Sequence, residues 1–217
     1  MAIKVSNQGF NKVVFRDANV KKNDDLNTFN ESKTAKKVGS ILDMVNLLEN
    51  DTKENKNYNF IALCGHGAEG HQGLGSGTSG DYVKGKDIKH DKLDDITELL
   101  NRTDGCIYKA HENTKPVLFL AGCEVGKGTD GKELLSKLSK IFKNVVVVAS
   151  TNKLTFKLDE NKNVSVLRLA ENGKTGELPP SYKFGINGEV FTEKQPNKIQ
   201  NRTGYVLQDL ILELELL

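Results

Sequence analysis

The sequence predicts an α/β protein with a mostly parallel central sheet flanked by helices. Two segments, Phe60-Ile-Ala-Leu-Cys64 and Val117-Leu-Phe-Leu-Ala121, are continuously apolar. This pattern is typical of strands that are buried on both faces of a parallel sheet. Such segments also alternate with stretches of helical periodicity, which is the order of elements in a doubly wound sheet.

The first predicted elements are a strand, a helix and a second strand. Residues 12–16 form the strand, and residues 58–63 form the second one. Between them, residues 35–48 place five apolar side chains on one helical stripe, namely Val38, Ile41, Leu42, Val45 and Leu48. After the second strand, residues 67–80 are so rich in glycine that we expect a mobile loop without regular structure.

The next elements continue the alternation of helix and strand. Helices are predicted at residues 91–100 and 131–142, and strands at residues 117–121 and 144–150. The second of these helices has a regular apolar repeat, formed by Leu134, Leu135, Leu138 and Ile141. These elements complete the predicted α/β core, which covers residues 1–151.

Residues 152–217 have a different pattern, in which apolar and polar residues alternate. Residues 154–169 predict a β-hairpin around Asn161-Lys-Asn163, and residues 182–192 predict another around Asn187-Gly188. Residues 205–217 fit helical and strand spacing equally well. We therefore predict one domain over residues 1–217, with a hairpin-rich C-terminal part.

Composition limits the classes of protein that this chain can be. The chain has 217 residues, 37% of them hydrophobic and 28% charged, with a formal net charge of +2, as in ordinary globular proteins. So small a net charge gives no argument for nucleic-acid binding. Three cysteines favour free thiols and a reducing compartment. No segment has the pattern of a signal peptide or a membrane span, so we expect synthesis in the cytoplasm.

A histidine and a cysteine follow the two apolar segments directly. His66 comes after Gly65, and Cys123 comes after Gly122. Because ligands of open α/β sheets bind at the carboxyl ends of the strands, we expect these side chains to converge. A thiolate is the nucleophile in cysteine chemistry, and an imidazole can accept its proton. The pattern therefore predicts a Cys–His pair for acyl transfer.

Other parts of the predicted site are less specific. Backbone N–H groups of Gly67 and Gly122 are candidates to stabilise an oxyanion. The group that orients the imidazole stays open, since a carboxylate or a backbone carbonyl can serve.

These motifs resemble those of the caspase-like (clan CD) cysteine peptidases, the clan of caspases, legumains, gingipains, clostripain and the self-cleaving domains of large bacterial toxins. The resemblance covers residues 58–151. Within the clan, Leu63-Cys-Gly-His-Gly67, Leu120-Ala-Gly-Cys123 and Val148-Ala-Ser-Thr-Asn-Lys-Leu154 look most like the toxin self-processing domains. Bacterial caspase-like domains of large surface proteins are comparably similar.

The resemblance implies a caspase-like sandwich and a thiol endopeptidase. Cys123 would be the nucleophile and His66 the general acid/base, with no cofactor required for the chemistry. Ser150 and Thr151 would border the pocket for the residue before the scissile bond. If that pocket selects a basic residue, the nearby acidic candidates are Glu69, Asp81 and Glu124.

The resemblance also suggests an activator and a substrate. The toxin domains are activated by inositol hexakisphosphate, and calcium is a second candidate activator. The basic residues proposed for this role are Lys127, Lys132, Lys153, Lys157 and Arg168. The substrate would be a peptide or a protein, including the chain itself, and delivery into a host cell would fit the toxin-like reading.

Three alternatives accompany this reading. The first is a catalytically silent caspase-like module that binds or scaffolds a peptide. The second is a nucleotide hydrolase, because residues 126–132 fit a phosphate-binding loop until Glu133, where a carboxylate replaces the required hydroxyl. The third is a metal site of Cys64, His66 and His71, which lacks the paired spacing of zinc sites. We predict no metal site.

Overall fold

The structure is a computed structural model that describes residues 10–32, 35–78, 80–109, 114–169 and 180–217. The strands of these ranges are β1 (Lys12–Asp17), β2 (Ala35–Val38), β3 (Phe60–Cys64), β4 (Gly67–Ala68), β5 (His71–Gly73), β6 (Asp87–Lys89), β7 (Val117–Leu120), β8 (Val146–Ser150), β9 (Leu154–Leu158), β10 (Val164–Arg168), β11 (Tyr182–Ile186) and β12 (Glu189–Thr192). The α-helices are α1 (Ile41–Lys53), α2 (Thr97–Cys106), α3 (Gly128–Ile141), α4 (Pro196–Thr203) and α5 (Leu207–Glu215). Two short 3₁₀ helices span Asp25–Asn30 and Leu93–Ile96.

The described chain folds around a seven-stranded sheet in the order β2-β1-β3-β7-β8-β11-β12. The five strands from β2 to β8 are parallel to one another, and β11 is antiparallel to β8. The prediction of a mixed α/β protein with a mostly parallel central sheet is therefore confirmed. The hairpin predicted at residues 182–192 extends this sheet as β11 and β12.

Two apolar layers cover the two faces of the sheet. On one face, α1, α2 and α3 pack against alternate strand residues that include Ile61, Leu63 and Leu118. On the opposite face, the first 3₁₀ helix, β9, β10, α4 and α5 pack against residues that include Phe60, Ala62 and Phe119. Because fully burying one large apolar side chain contributes about 1.5–3 kcal/mol, both faces of these strands select hydrophobic residues. This is why β3 and β7 are continuous apolar runs.

The prediction of a helix over residues 35–48 is wrong for its first residues. Ala35–Val38 is a strand, β2, that pairs in parallel with β1 at the sheet edge. The helix begins at Ile41, after the Ser40 side chain accepts a hydrogen bond from the N–H of Asp43 at 3.0 Å. Leu42 is therefore 45% exposed rather than part of the apolar stripe.

The prediction of an irregular loop after β3 is wrong for part of the glycine-rich segment. This segment contains β4 and β5, which form a three-stranded sheet with β6. Gly75 and Gly77 lie directly against the backbones of Gly39 and Asn19, so a side chain at either position would overlap them. The glycines therefore permit close packing instead of providing mobility.

The remaining predictions concern the C-terminal third of the chain. The hairpin around Asn161-Lys-Asn163 is confirmed as β9 and β10. Residues 205–217, which the pattern left unassigned, form α5, and then Leu217 exchanges backbone hydrogen bonds with Val164. Within the described ranges, no helix combines the length and the apolar character that crossing a lipid bilayer requires.

Two acidic side chains near the buried Tyr182 give a test of this packing. Burial raises the pKa of Glu215 and of Glu193, and the charge of Glu193 raises that of Glu215 further. One carboxylate oxygen of Glu215 is buried without a hydrogen-bond partner among the described residues. A carboxyl group whose pKa is raised by folding loses stabilising effect as the pH rises through that pKa.

We therefore expect Glu215→Gln to raise the Tm near neutral pH, where the native carboxylate is charged, and to change it much less at about pH 4. Thermal unfolding followed by circular dichroism at both pH values measures this. Glu213→Gln is the matched control, because Glu213 forms a partly exposed ion pair with Lys12 at 2.7 Å. An equal effect of both substitutions would contradict the prediction.

Candidate active site

Three neighbouring parallel strands, β1, β3 and β7, carry polar side chains at their carboxyl ends. The chain leaves β1 toward β2 on one side and leaves β3 toward β7 on the other, so a topological switch point lies between β1 and β3. Ligands of α/β sheets bind at such points. Asp24 follows β1, His66 follows β3 and Cys123 follows β7. The fold thus brings an acid, an imidazole and a thiol to one edge.

The imidazole of His66 is held by Asp24. Its Nε2 lies 2.8 Å from Oδ2 of Asp24, and the exposed fractions of the two side chains are 31% and 14%. The other oxygen of Asp24 accepts a hydrogen bond at 2.9 Å from the N–H of Leu26, because Asp24 caps the 3₁₀ helix. Since a carboxylate only accepts, Nε2 carries the proton and Nδ1 is the nitrogen that can exchange one.

The loop that carries Cys123 packs directly on the loop that carries His66. The N–H of Ala121 donates to Leu63 at 2.9 Å, and the N–H of Gly70 donates to Val125 at 3.0 Å. A Cβ atom built on Gly67 would lie 2.7 Å from both the backbone N and the backbone O of Cys123. Glycine is therefore required beside His66 for the two loops to touch.

The sulfur of Cys123 contacts the first residue of β9. Its Sγ lies 3.3 Å from the N and 3.5 Å from the O of Leu154, which gives one accepted and one donated hydrogen bond. Burial raises the pKa of the Cys123 thiol, the Leu154 N–H opposes this, and the charges of Glu124 and Asp24 add to the rise. In the structure, the sulfur is therefore held by the backbone of β9, in surroundings that raise the pKa of the thiol.

The backbone around Cys123 offers free donors. Among the described residues, none accepts a hydrogen bond from the N–H of Gly122 or of Cys123. The next amides are engaged, because Glu124 donates to Asn152 and Gly126 donates to Ser150, both at 2.8 Å. Two adjacent N–H groups next to the sulfur are suited to bind an oxyanion.

The three candidate substrate-binding residues, Ser150, Thr151 and Glu124, lie close to this loop, and their side chains already form hydrogen bonds or ion pairs within the protein. Ser150 is completely buried, and its hydroxyl bonds to Asn152 and Ser181. Thr151 donates to the carbonyl of Ser181 at 3.1 Å, and Glu124 forms an ion pair with Lys127 at 2.7 Å. In this arrangement their side chains stabilise the turn after β8.

The five basic residues considered for an activator do not form one patch. Lys127 and Lys132 lie before and within α3, whereas Lys157 and Arg168 lie on β9 and β10, which cover the opposite face of the sheet. Lys153 lies between them and near the thiol, whose pKa its charge lowers. Two of the five, Lys157 and Arg168, therefore belong to the hairpin that contacts Cys123, and Lys153 directly precedes it.

The phosphate-binding-loop alternative is disfavoured by the side chain of Glu69. Its carboxylate lies against Gly128 and accepts a hydrogen bond at 3.4 Å from the N–H of Asp130, in the first turn of α3. The helix N-terminus, where a phosphate would bind, thus already faces a negative charge. Glu133 pairs with Lys137 at 2.6 Å and is 43% exposed.

The residues of the rejected metal hypothesis have separate environments. Cys64 is fully buried in the apolar core, and burial raises its pKa. His71 is also buried, with its Nε2 3.4 Å from Asp87. Neither side chain joins His66 in a group with the spacing of metal ligands.

Asp24 is a residue of the candidate site that sequence reasoning did not identify. Its signal is the pattern Asp24-Asp25-Leu26, with Phe29 three residues later, since an aspartate before spaced apolar residues is a typical helix cap. This cap follows β1 and lies at the same edge of the sheet as His66. The two facts together indicate that Asp24 is the partner of the imidazole.

Residues 13–158 match the family model described as "Domain of unknown function (DUF4347)". The chain belongs to this family. The DUF4347 region runs from the second residue of β1 to the end of β9 and includes Asp24, His66 and Cys123. No curated protein shows significant similarity to the chain.

The burial of the three thiols predicts how they react. Cys64 and Cys106 are buried, whereas Cys123 is only partly buried. Iodoacetamide should therefore modify Cys123 first, and the rate should rise with pH into the alkaline range because burial raises the pKa of this thiol. Peptide mass spectrometry of the native protein measures both.

The control for this experiment is Cys123→Ala, which should remove the adduct that forms first. Faster modification of Cys64 or Cys106, or a rate that is constant between about pH 6 and pH 9, would contradict the described packing.

Proposed function

We propose that this chain is a caspase-like cysteine endopeptidase in which Cys123 and His66 cleave peptide bonds. The observation that carries the proposal is that a partly buried thiol, Cys123, an imidazole, His66, and the carboxylate of Asp24 all lie at the carboxyl edge of one parallel sheet. The resemblance of the flanking motifs to caspase-like peptidases points to the same chemistry.

We assign each side chain a role that fits its position at the carboxyl edge of the sheet. Asp24 orients the His66 ring through Nε2 and stabilises the imidazolium. His66 takes the Cys123 proton through Nδ1, and the thiolate attacks the carbonyl carbon of the substrate. The oxyanion accepts hydrogen bonds from Gly122 and Cys123, with Gly67 opposite. The imidazolium then protonates the leaving amine, and water hydrolyses the thioester.

A conformational step must precede attack. The thiol donates to the carbonyl of Leu154, so its proton has to turn from that carbonyl toward His66, whereas the N–H of Leu154 can stay and stabilise the thiolate. Arg168 pairs opposite Leu154 in the hairpin, and the N–H of Leu169 donates to Lys153 at 2.8 Å. A polyanion such as inositol hexakisphosphate that binds Lys153, Lys157 and Arg168 would act directly on the segment that holds the sulfur. We propose this as the route of activation, with calcium as the second candidate.

A silent peptide-binding module is the second candidate function. The engaged sulfur and its raised pKa favour it, because both describe an unreactive thiol. The two functions differ in whether bound peptide is cleaved.

Incubation of the chain with a peptide library distinguishes the peptidase from the binding module. We expect the purified chain to generate new termini, in itself or in the library, with inositol hexakisphosphate or calcium present. His66→Ala should lower kcat/KM by about 10²–10⁴-fold, the usual contribution of a general acid/base. Asp24→Asn should lower it by about a hundredfold through misorientation of the ring. Mass spectrometry of the termini and initial rates give the measurement.

The control for Asp24 is Asp209→Asn, since Asp209 is an exposed aspartate in the first turn of α5. Retained peptide binding without cleavage under every activator would contradict the peptidase and support the binding module. Full activity of His66→Ala would exclude the proposed dyad.

A further inference from the structure

A second group of polar side chains lies between β6 and α3. His90 follows β6, and Asp130 and Glu133 project from neighbouring positions of the first turns of α3. One ligand atom from each residue lies within 4.8 Å of the others. Spacing of i and i+3 places the two acids on the same helix face.

The spacing of these atoms is unusual for a hydrogen-bonded cluster. Nε2 of His90 lies 3.8 Å from Oδ1 of Asp130, which is too long for a hydrogen bond. With bonds of about 2.0–2.2 Å, donor atoms in a tetrahedral metal shell are about 3.4 Å apart. Small side-chain shifts would therefore bring the His90 and Asp130 donors to the separation found around a bound ion.

The backbone fixes the His90 ring in an orientation that suits a ligand. The N–H of His90 donates to Gly70 at 3.0 Å, and a Cβ on Gly70 would lie 2.8 Å from Nδ1 of His90 and 2.7 Å from Cβ of Asp130. Nδ1 is therefore buried against the Gly70 backbone, with no partner among the described residues. Nε2 is the nitrogen that faces the carboxylates.

We infer that His90, Asp130 and Glu133 bind one divalent transition-metal ion. One imidazole and two carboxylates suit Zn²⁺, Mn²⁺ or Co²⁺, whereas Ca²⁺ and Mg²⁺ prefer oxygen ligands alone. No pattern in the sequence indicates this site, because its ligands come from segments 40 residues apart. The inference does not depend on the proposed peptidase activity.

Lys137 competes with the ion for Glu133. Its Nζ lies 2.6 Å from Oε1 of Glu133 and 3.1 Å from the carbonyl of His90. Metal binding must displace this ammonium group. The hydrogen bond and the charge of Lys137 also lower the pKa of Glu133, so its carboxylate is the partner that the ion has to win from Lys137.

The ion would join two segments that carry the candidate active site. Gly70 and His90 belong to the small sheet that follows His66, and α3 follows Cys123. A metal between them would therefore fix the small sheet to α3. This predicts a higher Tm with metal present, whatever reaction the chain catalyses.

Titration of Zn²⁺ into chelator-treated Cys123→Ala protein tests the inference without interference from the thiol. Isothermal calorimetry should give one site per chain, and the Tm should rise with Zn²⁺ concentration. Asp130→Asn and His90→Asn should each weaken binding by more than about tenfold. Lys137→Met should strengthen it by about twofold to fivefold, because the competing ion pair is lost.

His66→Ala in the same background is the control for metal bound at the candidate active site, and it should leave the affinity unchanged. If His90→Asn does not fold, Asp130→Asn and Lys137→Met still test the inference. Asp130 is 48% exposed, so its substitution does not disturb the core. Absence of binding with Zn²⁺, Mn²⁺ and Co²⁺, equal affinity in Asp130→Asn, or loss of binding in His66→Ala would overturn the inference.

Discussion

The parallel pairing of β3 with β7 is the constraint on which the candidate site depends. Its register places Leu63 opposite Leu120, so both strands end at the same level and Cys123 and His66 leave the sheet side by side. The bonds from Ala121 to Leu63 and from Gly70 to Val125 then fix the two loops together. A slip of this register would separate the thiol from the imidazole.

The site is also connected to the layer that covers the opposite face of the sheet. Asp24 binds His66, and the next residue, Asp25, bonds to Thr155 beside Leu154. The rings of Phe29 and Phe156, 5.0 Å apart, strengthen the same contact. The acid that orients the imidazole and the strand that holds the sulfur are therefore one packed unit. A change in the β9–β10 hairpin acts on the thiol and on the imidazole together.

The sequence predicted the parts of the structure that depend on local pattern. Continuous apolar runs identified β3 and β7, and therefore the edge that carries His66 and Cys123, because burial on both faces leaves a strong compositional signal. The edge strand β2 was missed, since Val38 also fits a helical stripe. The strands β4 and β5 were missed because glycines that permit close packing look the same as glycines in a mobile loop.

The rest of the site depends on tertiary contacts that no local pattern contains. Asp24 is 42 positions from His66 and meets it only through the strand order. The contact of Cys123 with Leu154 depends on how the hairpin packs, and the His90–Asp130–Glu133 group depends on the docking of α3 against β6. Spacing along the chain cannot reveal such neighbours.

The central claim is that the His66 imidazole activates the Cys123 thiol. Its most direct test is the rate at which a peptidyl acyloxymethyl ketone modifies the chain with activator present, followed by intact mass and peptide mapping. The account predicts one adduct on Cys123 and a rate that His66→Ala lowers by about a hundredfold or more. An unchanged rate in His66→Ala, or an adduct on Cys64 or Cys106 instead, would contradict it.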